Sequence, residues 1–336
     1  MSSSEPSSVC GEADIIAMLA PLAEGVPGAF GLMDDCALIT PEAGSELVLK
    51  TDPVAEGVHF LPDDAPEDIA WKALAVNVSD LAAKAARPIG YLMALAFPEA
   101  PSTAWVGRFA AGLAQAQQRF GCALIGGDTD RRPGPLTISI TILGTVARGR
   151  MVRRGTARPG DKVFVSGTLG DAALGLALRK TPAMAGAWGL SAVEADHLRH
   201  RYTRPDPRLS LSSALLACAA AAMDISDGLA KDAARMCSAS ACGGRVQVAA
   251  IPLSAACLRA LQQQPSLISQ VVTGGDDYEI LAAVPAGQAS AFRTAAAAAE
   301  VPVTEIGSFL EGRGLVLDGA DGRPLGLAKS GFDHFA

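Results

Sequence analysis

The chain has 336 residues, more than one hydrophobic core usually organises, which predicts two domains and excludes a single small module. With 49% hydrophobic and 19% charged residues, it has enough apolar surface for a core and is not a disordered chain. Its 28 basic and 35 acidic side chains give a net charge of −7, and no Lys/Arg block is interleaved with aromatics, so a nucleic-acid surface has no electrostatic footing.

The amino terminus, MSSSEPSSV, lacks both a basic start and an apolar stretch, so residues 1–10 are expected to be a flexible tail and not a signal peptide. Strand patterns at 46–51 and 91–97 interleave with helical spacing at 69–86 and 103–120, where good helix formers run with almost no Gly or Pro. The clearest period of two is at 136–146, where Leu136, Ile138, Ile140 and Ile142 alternate with Thr137, Ser139 and Thr141 and predict a strand with one apolar face. The basic stretch ARGRMVRRGTARPGDK that follows has no apolar period and is punctuated by Gly and Pro. It predicts a boundary near 150, with an N-terminal domain at 11–149 and a C-terminal one at 150–336.

A second pattern then predicts a strand at 162–166, a helix from Asp171, helices on either side of Asp224, strands near 245–249 and 278–284, an Ala-rich helix at 289–300, and strands near 304–309 and 314–317. Strand and helix alternate as in an α/β or α+β layer architecture. The longest apolar run, 214–223, is 10 residues, about half a bilayer crossing, so no membrane partner is expected. The seven cysteines include no C-x-x-C pair and read as reduced thiols of a cytoplasmic protein.

The chemical signal is a set of acidic segments: Asp34-Asp35, Thr51-Asp52 closing a strand, Ser79-Asp80 in a helix, a Gly126-Gly127-Asp128-Thr129 turn, Asp224-Ile225-Ser226-Asp227-Gly228, and Gly274-Gly275-Asp276-Asp277. Each alone is explained by capping or turn formation, and Asp80 has Lys84 and Asn77 as helical neighbours. Their repetition is not so explained, because converging carboxylates repel unless cations sit among them. Hard oxygen donors suit Mg²⁺, which keeps water and substrate phosphate in its shell, so an acidic protein of this kind could hold a polyphosphate. No Walker A loop, protein-kinase signature or dinucleotide fingerprint is present. His197 and His200 read as a solvated helix face, and His59 stands apart because it follows the Thr51-Asp52 segment closely.

Together, MDDCALI, KTDPVAEGVHF, WKALAVNVSDLAAKAARP, GGDTDR, RRGTARPGDKVFVSGTLGDAALGL, RPDPRL, AMDISDGLAKD, TGGDDYEI and the C-terminal GFDHF resemble the thiamine-monophosphate kinase family. That family lies in the superfamily of aminoimidazole ribonucleotide synthetase and selenophosphate synthetase. The resemblance implies two α/β domains, an N-terminal mixed sheet that forms a barrel in a homodimer and a larger C-terminal domain. It implies transfer of the ATP γ-phosphoryl group to thiamine monophosphate by direct in-line displacement with several Mg²⁺ ions. Carried over, Asp35, Thr51, Asp52, Asp80, Asp128, Asp224 and Asp227 are the metal set; Gly127, Asp128, Arg154 and Ser226 contact the nucleotide, with Asp128 and Arg154 acting in catalysis; and His59, Asp276 and Phe332 contact thiamine monophosphate. Departures from the family pattern are Met33 for Gly, Asp276 for Glu and Phe332 for Tyr. Two alternatives stay open on the residues: another ATP-using enzyme of the superfamily, against which stands the lack of a Cys in a Gly-rich N-terminal loop, and a non-catalytic sensor of thiamine phosphates, against which stands the number of carboxylates.

Overall fold

The computed structural model describes residues 9–327 and 331–332, and the chain divides into two compact units, Met1–Leu81 with Arg87–Arg148, and Ala82–Ala86 with Gly149–Ala336. In chain order the first unit holds α1 (Glu12–Leu19), β1 (Ser45–Ala55), α2 (Pro66–Ala83, its last two residues grouped with the second unit), β2 (Arg87–Phe97), α3 (Thr103–Phe120), β3 (Leu124–Arg131) and β4 (Thr137–Ala147). The strands form a mixed sheet in the order β1-β4-β2-β3, with β2 and β3 parallel and the other pairs antiparallel.

The alternation read in β4 becomes burial: Ile138, Ile140 and Ile142 are fully buried while the residues between them are half-buried. The Ser102 hydroxyl accepts from Trp105 N to cap α3, and Gly121 at φ 69° ends it in the left-handed region. Val106, Phe109, Leu113, Ala116 and Phe120 form its buried stripe. Gly112 faces α2 so closely that a Cβ there would lie 2.4 Å from the Glu67 carbonyl oxygen.

Three expectations for this unit change. Val9 bridges to Ser102, and Cys10, buried, donates its N–H to Pro101 O at 2.9 Å, so these two residues of the expected tail are held by backbone pairing. Strand β1 continues to Ala55, which puts Thr51-Asp52 inside the strand and not at its end; Pro53 is tolerated because β1 lies at the sheet edge. The Gly126-Gly127-Asp128-Thr129 segment is also strand, not turn. It pairs with β2, and a Cβ at Gly127 would lie 2.0 Å from Met93 O.

The second unit holds β5 (Lys162–Ser166), α4 (Asp171–Lys180), α5 (Met184–Ala187), α6 (Ala192–Thr203), α7 (Ser212–Cys218), β6 (Ala221–Ile225), α8 (Leu229–Ala239), β7 (Gly243–Gln247), α9 (Ala255–Gln263), α10 (Leu267–Thr273), β8 (Glu279–Val284), α11 (Ala289–Ala298), β9 (Val303–Leu310) and β10 (Gly314–Asp318). Its sheet runs β10-β7-β9-β5-β8-β6, with β10 and β7 parallel and the other pairs antiparallel.

Both faces of this sheet are covered. Val163, Val165, Leu281 and Ala283 pack with Leu229, Ala233 and Met236 of α8, while Phe164, Ile280 and Ala282 pack with Leu215 of α7 and Phe292 of α11. Asp224 sits on β6, a strand the sequence pattern hides because its Ala-rich residues continue those of α7. Among the described residues no helix is long and apolar enough to cross a membrane.

Candidate active site

Register in the first unit sorts the expected residues by face. Directly paired residues share a face, so the ladder Asp128–Ala94–Ser139 and the pair Thr51–Thr141 lie on one side of the sheet. Asp52 and Lys50, paired with the buried Ile140 and Ile142, lie on the other. On the first side a cavity of about 650 Å³ is lined by Asp34, Asp35, Cys36, Gly127, Asp128 and Thr141, with apolar walls that include Ile16, Leu92 and Leu143. Asp35 and Asp128 are exposed, and Asp128 Oδ1 accepts from Thr129 N at 2.9 Å. The Thr141 hydroxyl donates to Thr51 Oγ1 at 3.0 Å, and Thr51 donates on to Ile140 O at 3.1 Å.

The other face holds a cation the sequence reading missed. Lys50 Nζ lies 3.1 Å from Asp52 Oδ2 and 2.9 Å from Asp80 Oδ2. Burial works against its charge, yet the two carboxylates hold its pKa above the ordinary lysine value. Lys84, the expected partner of Asp80, instead donates to Ala222 O at 2.8 Å, and Asn77 Oδ1 accepts from Asp52 N at 3.0 Å. The missed signal is the i, i+2 spacing of Lys50 and Asp52, which puts both on one face of a strand. His59 closes the turn after β1, where its Nδ1 accepts from Ala55 N at 3.0 Å. Met33 has φ −101° and needs no glycine; the left-handed residues nearby are Phe30, Gly31 and Leu32.

In the second unit the residues after β6 turn sharply, with Gly228 at φ 106°. Asp232 Oδ2 accepts from Ser226 N and Asp227 N at 3.0 and 2.9 Å and fixes that turn, while burial and then Asp227 push its own pKa up to about 6. Asp227 is 2.5 Å from Arg235 Nη1 and 3.3 Å from Lys231 Nζ. Asp224 is buried. Asp276 donates its N–H to Ser226 O at 2.9 Å, adopts φ 71° as Asp tolerates, and accepts from the Tyr278 hydroxyl at 3.1 Å.

Phe332 N donates to Asp227 O at 3.1 Å, the Lys231 ammonium donates to Phe332 O, and the Phe332 ring is about half exposed. A Cβ on Gly331 would lie 2.7 Å from Asp227 O, which explains the glycine before Phe332. The rest of the GFDHF segment lies outside the described residues. Arg154 is exposed on the loop before β5, its carbonyl accepting from Ser240 Oγ at 3.2 Å.

Behind the TGGDDYEI segment lies a buried network that sequence reasoning did not assign. Asp277 Oδ2 accepts from Gly170 N at 2.8 Å, and burial raises its pKa well above the carboxylate range. Glu279 accepts from Arg201, Arg208 and Ser166. His197, expected on a solvated face, has Nε2 at 3.3 Å from the buried Asp171.

These donors fit Mg²⁺. They are hard oxygens, and the ammonium bridging Asp52 and Asp80 shows that this pair accommodates a cation. Among the described residues no three His, Cys, Asp or Glu side chains cluster as a ready-made metal site.

Two family models match the chain: AIR synthase related protein, N-terminal domain, at residues 33–146, and its C-terminal domain at 158–319. A thiamine-monophosphate kinase of Caulobacter vibrioides is 43% identical over 305 residues, covering 90% of this chain and 84% of that protein. The crystal structure of thiamine-monophosphate kinase from Stenotrophomonas maltophilia superposes with a TM-score of 0.83 at 37% identity, covering 95% of this chain and 99% of the other. The structure of AaThiL complexed with AMPPCP and TMP matches at 32% identity with a TM-score of 0.75, covering 97% of each chain.

Proposed function

The chain belongs to the thiamine-monophosphate kinase family, and from that premise we infer that it transfers the γ-phosphoryl group of ATP to the phosphate of thiamine monophosphate, giving thiamine diphosphate and ADP. The observation that carries this reading is the first unit's cavity, which joins apolar walls suited to a base with Asp35, Asp128 and the side-chain-free edge at Gly127. A loose phosphoryl-transfer transition state asks mainly for positioning and charge neutralisation, and the acceptor phosphate is already ionised, so no strong general base is needed.

In this reading Asp35, Asp128 and Thr51 on the cavity face, Asp52 and Asp80 on the other, and Asp224 and Asp227 in the second unit hold Mg²⁺. When bound, Mg²⁺ neutralises the phosphate oxygens and brings the two phosphates within reach of each other. Gly127 contacts the nucleotide through its backbone, Asp128 and Arg154 serve at the reacting phosphates, and Ser226 contacts the nucleotide. His59, Asp276 and Phe332 take thiamine monophosphate, with the Phe332 ring as a stacking surface and the Asp276 carboxylate facing positive charge. Two phosphates that share one set of Mg²⁺ ligands favour direct in-line transfer.

Incubation with ATP, Mg²⁺ and thiamine monophosphate should yield thiamine diphosphate and ADP in equal amounts by chromatography. Nucleotide binding without product, or ADP release without thiamine diphosphate, overturns the reading. A homodimer and a reducing compartment are part of the proposal, the latter supported by seven free cysteines.

A further inference from the structure

The ammonium of Lys50 stands where two of the proposed metal carboxylates converge. It reaches Asp52 from two residues back along β1 and Asp80 across from α2, at 3.1 and 2.9 Å. The three side chains are between a quarter and two-fifths exposed, so the pair is reachable from solvent. Both carboxylates are therefore compensated before any divalent ion arrives. A Mg²⁺ ion on either oxygen has to displace a bound ammonium, because like charges within a few ångströms repel.

We propose that Lys50 is a built-in counter-cation that holds the Asp52–Asp80 pair together in the metal-free protein and competes with the divalent ion for it. Its four-carbon stem lets the ammonium swing aside without moving β1, since the side chain projects from an edge strand whose backbone is already paired with β4. Lys50 thereby sets the Mg²⁺ concentration at which this pair loads. It also spares the empty pair the repulsion of two uncompensated carboxylates. This inference rests on the reading of Asp52 and Asp80 as metal ligands, and the two can fail separately.

The test is direct Mn²⁺ binding to the full chain without nucleotide, read from the free-ion electron paramagnetic resonance signal. Lys50→Met should tighten Mn²⁺ binding by about tenfold at one site, the scale expected when two partly exposed ion pairs no longer compete. Lys50→Arg, which keeps a cation, should bind Mn²⁺ about as weakly as wild type. Adding Asp80→Asn to Lys50→Met should abolish the gain. Unchanged or weaker Mn²⁺ binding in Lys50→Met, together with a loss in Asp80→Asn, overturns the role of Lys50 and leaves the ligand reading standing. If Asp80→Asn changes Mn²⁺ binding in neither background, the ligand reading falls and the inference with it. Should Lys50→Met not fold, Lys50→Gln is read by the same criteria.

Discussion

At the residue scale, the Tyr278 hydroxyl gives Asp276 a donor 3.1 Å from Oδ1, on a backbone held by Ser226 O. If Asp276 faces thiamine monophosphate, removing that donor loosens the hold on the carboxylate without touching the nucleotide. Tyr278→Phe should raise the KM for thiamine monophosphate about 3- to 10-fold, the scale of one net hydrogen bond of about 1 kcal/mol, and leave that for ATP unchanged. Equal shifts in both KM values would make Tyr278 a structural residue.

His197 carries a pH signature. Its hydrogen bond to Asp171 is the main reason its pKa is raised, with burial pulling the other way. Burial pushes the Asp171 pKa up, but hydrogen bonds from His197, Ser254 and Thr168 win and lower it. A raised histidine stabilises below its unfolded pKa and loses that contribution as pH rises through the folded value. A lowered aspartate stabilises above its unfolded pKa and loses the contribution as pH falls. The urea midpoint of wild type should therefore exceed that of His197→Gln most between about pH 4 and 6.5, and the gap should close as pH rises further. A gap independent of pH would show that packing, not charge, is what His197 supplies.

At the element scale, α3 is legible because its period of 3.6, its Ser102 cap and its Gly121 stop all agree, and β4 because its alternation has one apolar face. Strand β3 is not, since GGDTDR is rich in poor strand formers and takes its conformation from pairing with β2. The acidic motifs could be found in the sequence, but their grouping could not. Whether Asp52 joins Asp128 or Asp80 depends on which face of β1 it occupies, and that is set by register with β4. Nor does a linear pattern show that Lys50 and Lys84 divide their attention between Asp80 and Ala222 O, because the choice is made by tertiary contacts.

The crossing of α2 and α3 tests the packing side of this account. Gly112→Ala would put a methyl group against the Glu67 backbone, where no flexible side-chain end can yield. It should cost about 1–3 kcal/mol, the range for overpacking, read as a lower urea midpoint at unchanged m-value. A change below about 0.5 kcal/mol would mean that the helices separate easily.

At the scale of the whole molecule, the sheet of the first unit is finished on one face only. Ile138, Ile140 and Ile142 are sealed on the covered face, whereas Leu47, Leu49 and Leu92, paired with Thr145, Leu143 and Thr141, lie on the cavity side and are 39%, 62% and 39% exposed. Strand β1 is also a sheet edge, whose outer backbone groups have no ladder partner among the described residues. An edge strand with exposed leucines beside an apolar face gives a second copy both backbone hydrogen bonds and area to bury. We therefore expect sedimentation at twice the chain mass. Leu49→Lys places a charge in that face without touching Lys50, Asp52 or the β4 register, and it should shift the protein toward the monomer at micromolar concentration with its circular dichroism unchanged. If wild type sediments as a monomer, or if Leu49→Lys leaves a dimer intact, association does not use this face, and Leu47 and Leu49 then stay exposed on a single chain.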